Sequence, residues 1–199
     1  MTDIHARLRL AEQHLAAVDP VMAEQIGRYG PCGLATRARD PFHTLCSSII
    51  GQQLSSRAAD TIQARVMASL GATDRLRPAQ LIAASPDDLR ACGLSNAKAK
   101  WLRQLGEAAA AGTLDFEVLR TLDDEAAIEV LDALPGIGRW TAEMFLIFAL
   151  HRLDLFAMDD VGLLRGLRLL YSKTQRPLAE RRIRTITRRW APYRSVASW

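Results

Sequence analysis

Leu134–Asp160 reads LPGIGRWTAEMFLIFALHRLDLFAMDD, and this stretch decides the architecture. Pro135 fixes its own φ and cannot continue a preceding helix. Gly136 and Gly138 permit positive φ and put no side chain in the way of an approaching group. Arg139 opens a new helix, whose first amides have no acceptor within it. Those amides and the helix dipole together favour an anion. A backbone phosphate fits, held without reading sequence. A tight interhelical turn without a ligand would use the same residues. Thr141–Leu150 is apolar on most faces, so this helix belongs in a core. The stretch closes on Asp159 and Asp160. Asp160 precedes VGLLRGLRLL and suits the N-cap of a further helix.

Working outward, nearly everything reads helical: Ala, Leu and Arg dominate, and β-branched runs are short. The pattern predicts helices over His5–Val18 and Val21–Tyr29, separated at Asp19-Pro20, then a loop over Tyr29–Gly33. A helix runs from Phe42 to about Gly51 with Leu45, Ile49 and Ile50 inward; Gln52–Ser55 interrupts it, and Ser56–Leu70 resumes. Pro78 and Pro86 suit first-turn positions, with Ser85 as a cap. Gly93 ends one helix and Ser95 caps the next. Asp123 starts a helix that reaches Leu134, and Pro177 opens a last long helix through Trp190. No internal repeat, low-complexity tract or linker interrupts the chain.

At 199 residues the chain can bury the core of one or two small domains. Its formal net charge of +4 and a pI near 9.3 suit a polyanionic partner. The charge is concentrated late. Arg165, Arg168, Lys173, Arg176, Arg181, Arg182, Arg184, Arg188, Arg189 and Arg194 face a lone acid, Glu180. That density favours a phosphate-facing surface over an ordinary solvated helix. Cys32, Cys46 and Cys92 have neither metal nor disulfide spacing and read as small buried apolar residues. No signal peptide or long apolar segment is present. A soluble intracellular protein is expected, cytoplasmic or nucleoid-associated, with no membrane contact.

The glycine hairpin followed by the Asp resembles the helix-hairpin-helix DNA glycosylase superfamily, in particular its 3-methyladenine DNA glycosylase II branch, which removes alkylated bases. Other segments resemble the same family. Asp40–Val66, DPFHTLCSSIIGQQLSSRAADTIQARV, matches the first barrel helices and the wedge loop between them. Gly93–Leu105, GLSNAKAKWLRQL, matches the GLS-x-x-K element. Trp190–Ala197, WAPYRSVA, matches a closing W-x-P-x-R-S-x-A. The resemblance spans residues 40 to 199 and implies an all-α, two-lobed fold. A six-helix barrel, residues 41–152, carries the hairpin. Residues 1–40 and 153–199 build the second helical lobe. The active cleft is expected between the lobes, crossed by Phe156–Asp160. The residues before the barrel leave no room for the mixed α/β domain of some members. Relatives also continue past R-S-x-A-x-W with an aromatic helix lining the pocket, so either this chain is truncated at Trp199 or that wall is missing.

The resemblance assigns roles. Asp160 aligns with the catalytic Asp, and Asp159 competes on composition alone. A fixed carboxylate stabilises the cationic sugar as an N-glycosidic bond breaks, and it can orient water toward C1′. Lyase-competent relatives carry a lysine where this chain has Trp140. An indole cannot form a Schiff base, which implies a monofunctional enzyme that leaves an abasic site. Trp140 and Met144 are the candidate base pocket, with Trp140 offering cation–π attraction to an alkylated purine. Gly136, Gly138, Arg139, Thr141, Ser95 and Lys98 are the candidate phosphate contacts. Gln53, or alternatively Leu54, is the wedge that fills the gap left by a flipped base. The carbonyls of Asp132, Leu134 and Ile137 are expected to hold a structural monovalent cation when DNA is bound. No other cofactor is implied, and the four-cysteine iron–sulfur cluster of some relatives has no counterpart here. The expected partner is double-stranded DNA with alkylated bases, bound by a monomer. Phe42, His43, Trp101, Phe145 and Tyr193 read as core or surface by default. Two other readings stay open: a non-catalytic DNA-binding module, and a glycosylase for another lesion such as uracil or hypoxanthine.

Overall fold

The computed structural model describes residues 3–34, 40–172, 174 and 176–199, and all regular structure among them is helical. Lys173 of the basic segment lies outside the described residues. No helix among them is long and apolar enough to cross a membrane.

Short polar residues set most helix starts. Asp3, Asp19, Asp40, Ser55, Ser85, Ser95, Asp115, Asp123 and Asp160 each accept a backbone N–H from the first turn of the helix they precede. Each such cap pairs donors that the helix leaves open and contributes about 1 kcal/mol. The expected breaks at Asp19, at Gln52–Ser55 and at Gly93 therefore appear where the sequence puts them. Three details differ. Helix Phe116–Thr121 was not expected, and it is too short to show an apolar period. Helix Asp124–Asp132 stops short of Leu134, because Pro135 disfavours a helical Leu134. The final long helix runs Glu180–Thr187 and tightens into a 3-10 turn over Arg188–Trp190, leaving Pro177 in irregular chain before it.

The chain forms two compact units, Met1–Ala38 with Leu146–Trp199, and Arg39–Phe145. The division falls inside helix Arg139–Phe148 rather than after it. In the Arg39–Phe145 unit, helix Asn96–Ala110 is the centre. It packs against Pro78–Ala83, Pro41–Gly51 and Pro86–Ala91. Gly106 permits the closest of these approaches, since a Cβ there would lie 3.1 Å from the Pro78 carbonyl and 3.2 Å from the Leu81 Cβ. Leu45, Ile49, Ile50, Leu81, Leu102, Ile128 and Phe145 fill this core.

In the other unit, helix Ile4–Val18 packs on Pro20–Tyr29, on the Arg188–Trp190 turn and on Arg194–Ser198. Its apolar core of Leu8, Leu15, Leu167, Ile183 and Trp190 closes around one charged residue, Asp19, which is only 1% exposed. Asp19 Oδ1 accepts from the Val21 amide at 3.0 Å, capping the second helix. Oδ2 accepts from the Tyr171 hydroxyl at 2.9 Å and the Trp190 indole N–H at 3.1 Å. Burial, and then the hydrogen bond to Asp19, push the Tyr171 hydroxyl well up, so it stays a donor. From sequence, Asp19 was only a helix break; its bonds to residues far along the chain tie both ends of the unit together. Asp19→Ala leaves the buried Trp190 indole and the half-buried Tyr171 hydroxyl without their acceptor and is expected to lower stability by about 3 kcal/mol, whereas Tyr171→Phe costs about 1 kcal/mol. Urea unfolding of the two variants tests this, and equal losses would contradict it.

Candidate functional site

The hairpin lies between helices Asp124–Asp132 and Arg139–Phe148. After the first helix, Leu134 N–H bonds back to the Leu131 carbonyl at 3.0 Å, and Ile137 N–H closes a turn onto the Leu134 carbonyl at 3.1 Å. Gly136 occupies the left-handed position of that turn at φ 83°. A methyl group at 136 would fall onto the six-membered ring of Trp101. The glycine is therefore required twice, by its dihedral angle and by the indole against it. The carbonyl of Gly138 accepts the first bond of the next helix, from Ala142 N–H at 3.0 Å. Glycine at this cap position has no side chain to cover the amides that follow, which leaves their direction open to an anion.

The structure separates the two things Arg139 can offer. Its guanidinium is a bidentate donor to Glu125, at 2.7 and 2.9 Å, and its Nε donates to Glu143 at 3.1 Å. Hydrogen bonding from Arg139 holds Glu125 below the usual carboxylate range. The side chain thus clamps the hairpin's two helices, which leaves the backbone amide as the group that a phosphate at position 139 would use. Thr141 is buried, at 8% exposure, so its hydroxyl is not offered at the surface. Trp140 is 48% exposed at the first turn of the helix. Met144, one turn on, is half-buried on the same face.

The wedge segment belongs to the same unit. Gly51–Leu54 is a hydrogen-bonded turn, with Leu54 N–H on the Gly51 carbonyl at 3.2 Å. Gln53 sits at its left-handed corner, φ 58°, with its side chain exposed. A non-glycine residue there stores about 1 kcal/mol of strain. Leu54 follows, 38% exposed. The Gln52 side-chain amide donates to the Gly136 carbonyl at 2.6 Å, joining this turn to the hairpin.

Lys98 completes the link. Its ammonium donates to the carbonyls of Ile50 at 2.8 Å and Gln52 at 2.6 Å. A cation at the carbonyl end of helix Pro41–Gly51 is favoured by the helix dipole. Desolvation lowers its pKa. Lys98 is therefore engaged in holding the wedge turn, not extended as a free phosphate grip. Ser95 accepts from the Lys98 amide at 3.3 Å and caps helix Asn96–Ala110. Sequence reasoning missed Gln52, Trp101 and Glu125. Trp101 carried a signal: it stands three residues after Lys98, on the same helix face.

Asp160 belongs to the other unit. Its Oδ1 accepts from the Leu163 amide at 2.7 Å, and its carbonyl accepts the first bond of helix Val161–Tyr171. Asp159 is exposed and Asp160 is partly sheltered. The loop before them is fastened by the C-terminal segment. Ser195 Oγ accepts from the Leu155 amide at 2.8 Å and donates to the Leu155 carbonyl at 3.2 Å. Arg194 makes a bidentate pair with Asp154, both contacts 2.8 Å. The R-S pair of the closing motif thus anchors the chain that leads to Asp160. Arg194 leaves the set of phosphate-facing arginines for that reason.

The family model described as "HhH-GPD superfamily base excision DNA repair protein" matches residues 46–192. DNA-3-methyladenine glycosylase 1 of Schizosaccharomyces pombe is 31% identical over 201 residues, covering 99% of this chain and 87% of the relative. The crystal structure of a DNA-3-methyladenine glycosidase from Bacillus halodurans superposes with a TM-score of 0.84 at 37% identity, covering 94% of this chain and 85% of that one. The Schizosaccharomyces pombe 3-methyladenine DNA glycosylase in complex with abasic DNA gives 0.75 at 29% identity, covering 95% and 93%.

Gly136→Ala is expected to destabilise the protein by about 2–4 kcal/mol, from the dihedral strain and the collision with Trp101 together. In a Trp101→Ala background only the dihedral part, about 1 kcal/mol, should remain. Thermal or urea unfolding of the double-mutant cycle reads this, and strict additivity would show that the indole is not the obstacle.

Proposed function

The chain belongs to the HhH-GPD superfamily of base excision DNA repair proteins, and we propose that it is a DNA glycosylase removing alkylated bases of the 3-methyladenine type from duplex DNA. The observation that carries the reading is the fixed carboxylate of Asp160, locked at a helix head by the Leu163 amide. A preorganised anion needs no reorganisation as positive charge develops on deoxyribose, and such electrostatics is usually the largest catalytic term. The C1′–N bond breaks with its electron pair going to the base, and a cationic alkylpurine thereby leaves neutral with no proton needed. Asp160 steadies the oxocarbenium character, and a water it orients adds at C1′ and gives its proton to the carboxylate.

The amides at positions 138–141 grip a backbone phosphate without reading bases. The target nucleotide is rotated out of the stack, and Gln53 or its neighbour Leu54 enters the gap. Trp140 and Met144 receive the base. An alkylated purine is cationic, so the indole face favours it over a normal base, by about 0.5–2 kcal/mol. Trp140 also stands where a lyase lysine would be, so the product is an abasic site in an unbroken strand. The carbonyls of Asp132, Leu134 and Ile137 suit a monovalent cation: they are neutral oxygen donors, and Leu134, already accepting from Ile137, keeps a second lone pair. When bound, the cation would add positive charge beside the phosphate. The protein acts as a monomer in the cytoplasm or at the nucleoid.

Asparagine caps a helix as well as aspartate does, so Asp160→Asn removes the charge and keeps the fold. Release of free 3-methyladenine from methylated DNA should fall by about 10²–10³-fold, with DNA affinity retained. Equal release by wild type and variant would remove Asp160 from catalysis. Strong binding to abasic DNA with no base released from any lesion would make the protein a binding module. Mass spectrometry of bases freed from a mixed-lesion duplex ranks the substrates.

The wedge has its own test. Gln53→Gly relieves the left-handed strain and should raise stability by about 1 kcal/mol. It should at the same time slow base release under single-turnover conditions and weaken the fluorescence change of a 2-aminopurine placed beside the lesion. A more stable protein with unchanged release would assign the wedge to Leu54.

A further inference from the structure

The arginine-rich end of the chain is not absorbed by the hairpin, the wedge or Asp160. Helix Glu180–Thr187 and the turn after it bury Ile183, Ile186, Thr187 and Trp190. That seating fixes the helix's rotation. Arg181, Arg182, Arg184, Arg188 and Arg189 all lie on the opposite, exposed side. Glu180 is the only acid of this helix, and Arg184 takes it at 2.7 Å. Among the described residues no acid pairs with Arg181, Arg182, Arg188 or Arg189. A shallow groove is lined by Arg181, Arg184, Thr185 and Arg188, with Glu180, whose carboxylate Arg184 holds, at its edge.

Like charges three or four residues apart on a helix destabilise it. Here the buried face prevents them from turning away from one another. A polyanion against this face would relieve that repulsion. Arginine forks match phosphate geometry, and the run from Arg181 to Arg188 spans about 10 Å of helix, enough to meet about three phosphates of one DNA strand.

We propose that the arginine face of helix Glu180–Thr187 is a second, sequence-independent contact for the phosphate backbone of duplex DNA. The proposal rests on the glycosylase reading for its choice of polyanion. The face belongs to a different unit from the glycine hairpin. Contacts of this kind release counterions, and each one steepens the salt dependence of binding by about 0.9 in a double-logarithmic plot.

The test measures the affinity of the full chain for undamaged duplex DNA across salt concentrations. The variants are Arg181→Ala with Arg188→Ala, and, as a charge-matched control, Arg7→Ala with Arg9→Ala, also exposed. Both sites are at the surface, and circular dichroism checks the fold. The first pair should make the slope shallower by about 2 and weaken binding more than about tenfold at 50 mM salt, while the control pair leaves the slope unchanged. An unchanged slope in the first pair, or an equal change in both pairs, overturns the proposal. Loss of binding to phosphatidylserine vesicles with an unaltered DNA slope overturns it in favour of a lipid surface. Base release by the wild type is read separately. A shallower slope with no base released from any lesion upholds the arginine face and rejects the glycosylase reading.

Discussion

Lys98 and Gln52 hold the wedge turn and the glycine hairpin together, and the geometry of that unit depends on this link. The ammonium of Lys98 satisfies two carbonyls where helix Pro41–Gly51 ends. Gln52, whose own carbonyl Lys98 holds, reaches the Gly136 carbonyl with its side chain. Gly136 in turn rests on Trp101, which projects from the same helix as Lys98. The circuit closes on itself: helix Asn96–Ala110 supports the hairpin with its indole and the wedge turn with its ammonium. The wedge role proposed for Gln53 would work against an unstacking cost of a few kcal/mol and needs a turn that does not yield. The strain held at Gln53 is the mark of a turn fixed from outside.

The local grammar of the fold was legible because it is written in backbone chemistry. Proline, glycine and short polar caps act within a few residues, so Ser85, Ser95 and Asp123 marked helix starts directly. The partners of long side chains were not legible. Lys98 is almost fifty positions from the carbonyls it holds, and no helical period reports such a contact. Its place in the GLS-x-x-K element suggested a phosphate, the usual reason for a lysine near a helix start. Arg139 shows the same limit from the other side. The amide at that position was argued from the turn alone, whereas the double carboxylate clamp on its side chain could be seen only once Glu125 was brought beside it.

Two readings met at Asp160 in the sequence, a helix cap and a reacting carboxylate, and the structure shows the first. Capping engages Oδ1 through a short bond from the Leu163 amide and thereby fixes the direction of the whole group, which is what the proposed catalytic role would need. An unanchored aspartate would sample several rotamers and dilute its charge over all of them. The cap is therefore a precondition for a preorganised anion. The same logic extends to the loop before it, where Ser195 pairs with both backbone groups of Leu155, and Arg194 with Asp154. The closing R-S motif, remote in sequence, acts as the mount on which residue 160 is carried.

Net charge gives a poor account of how this protein uses its basic residues. Arg139, Arg184 and Arg194 each have a carboxylate within hydrogen-bond distance, and in Arg139 and Arg194 that pairing builds the hairpin and the Asp160 loop. Such arginines add nothing to the field that an approaching polyanion meets, because their charge is neutralised where it stands. The field comes from the arginines without acids, and Arg181, Arg182, Arg188 and Arg189 stand as one group of these on the outer side of Glu180–Thr187 and its following turn. Ionic strength screens charges separated by more than about 8–10 Å, so dispersed arginines would act singly, while arginines packed on two turns of one helix act as a group. A chain with the same composition but scattered basic residues would have the same pI and a weaker local field.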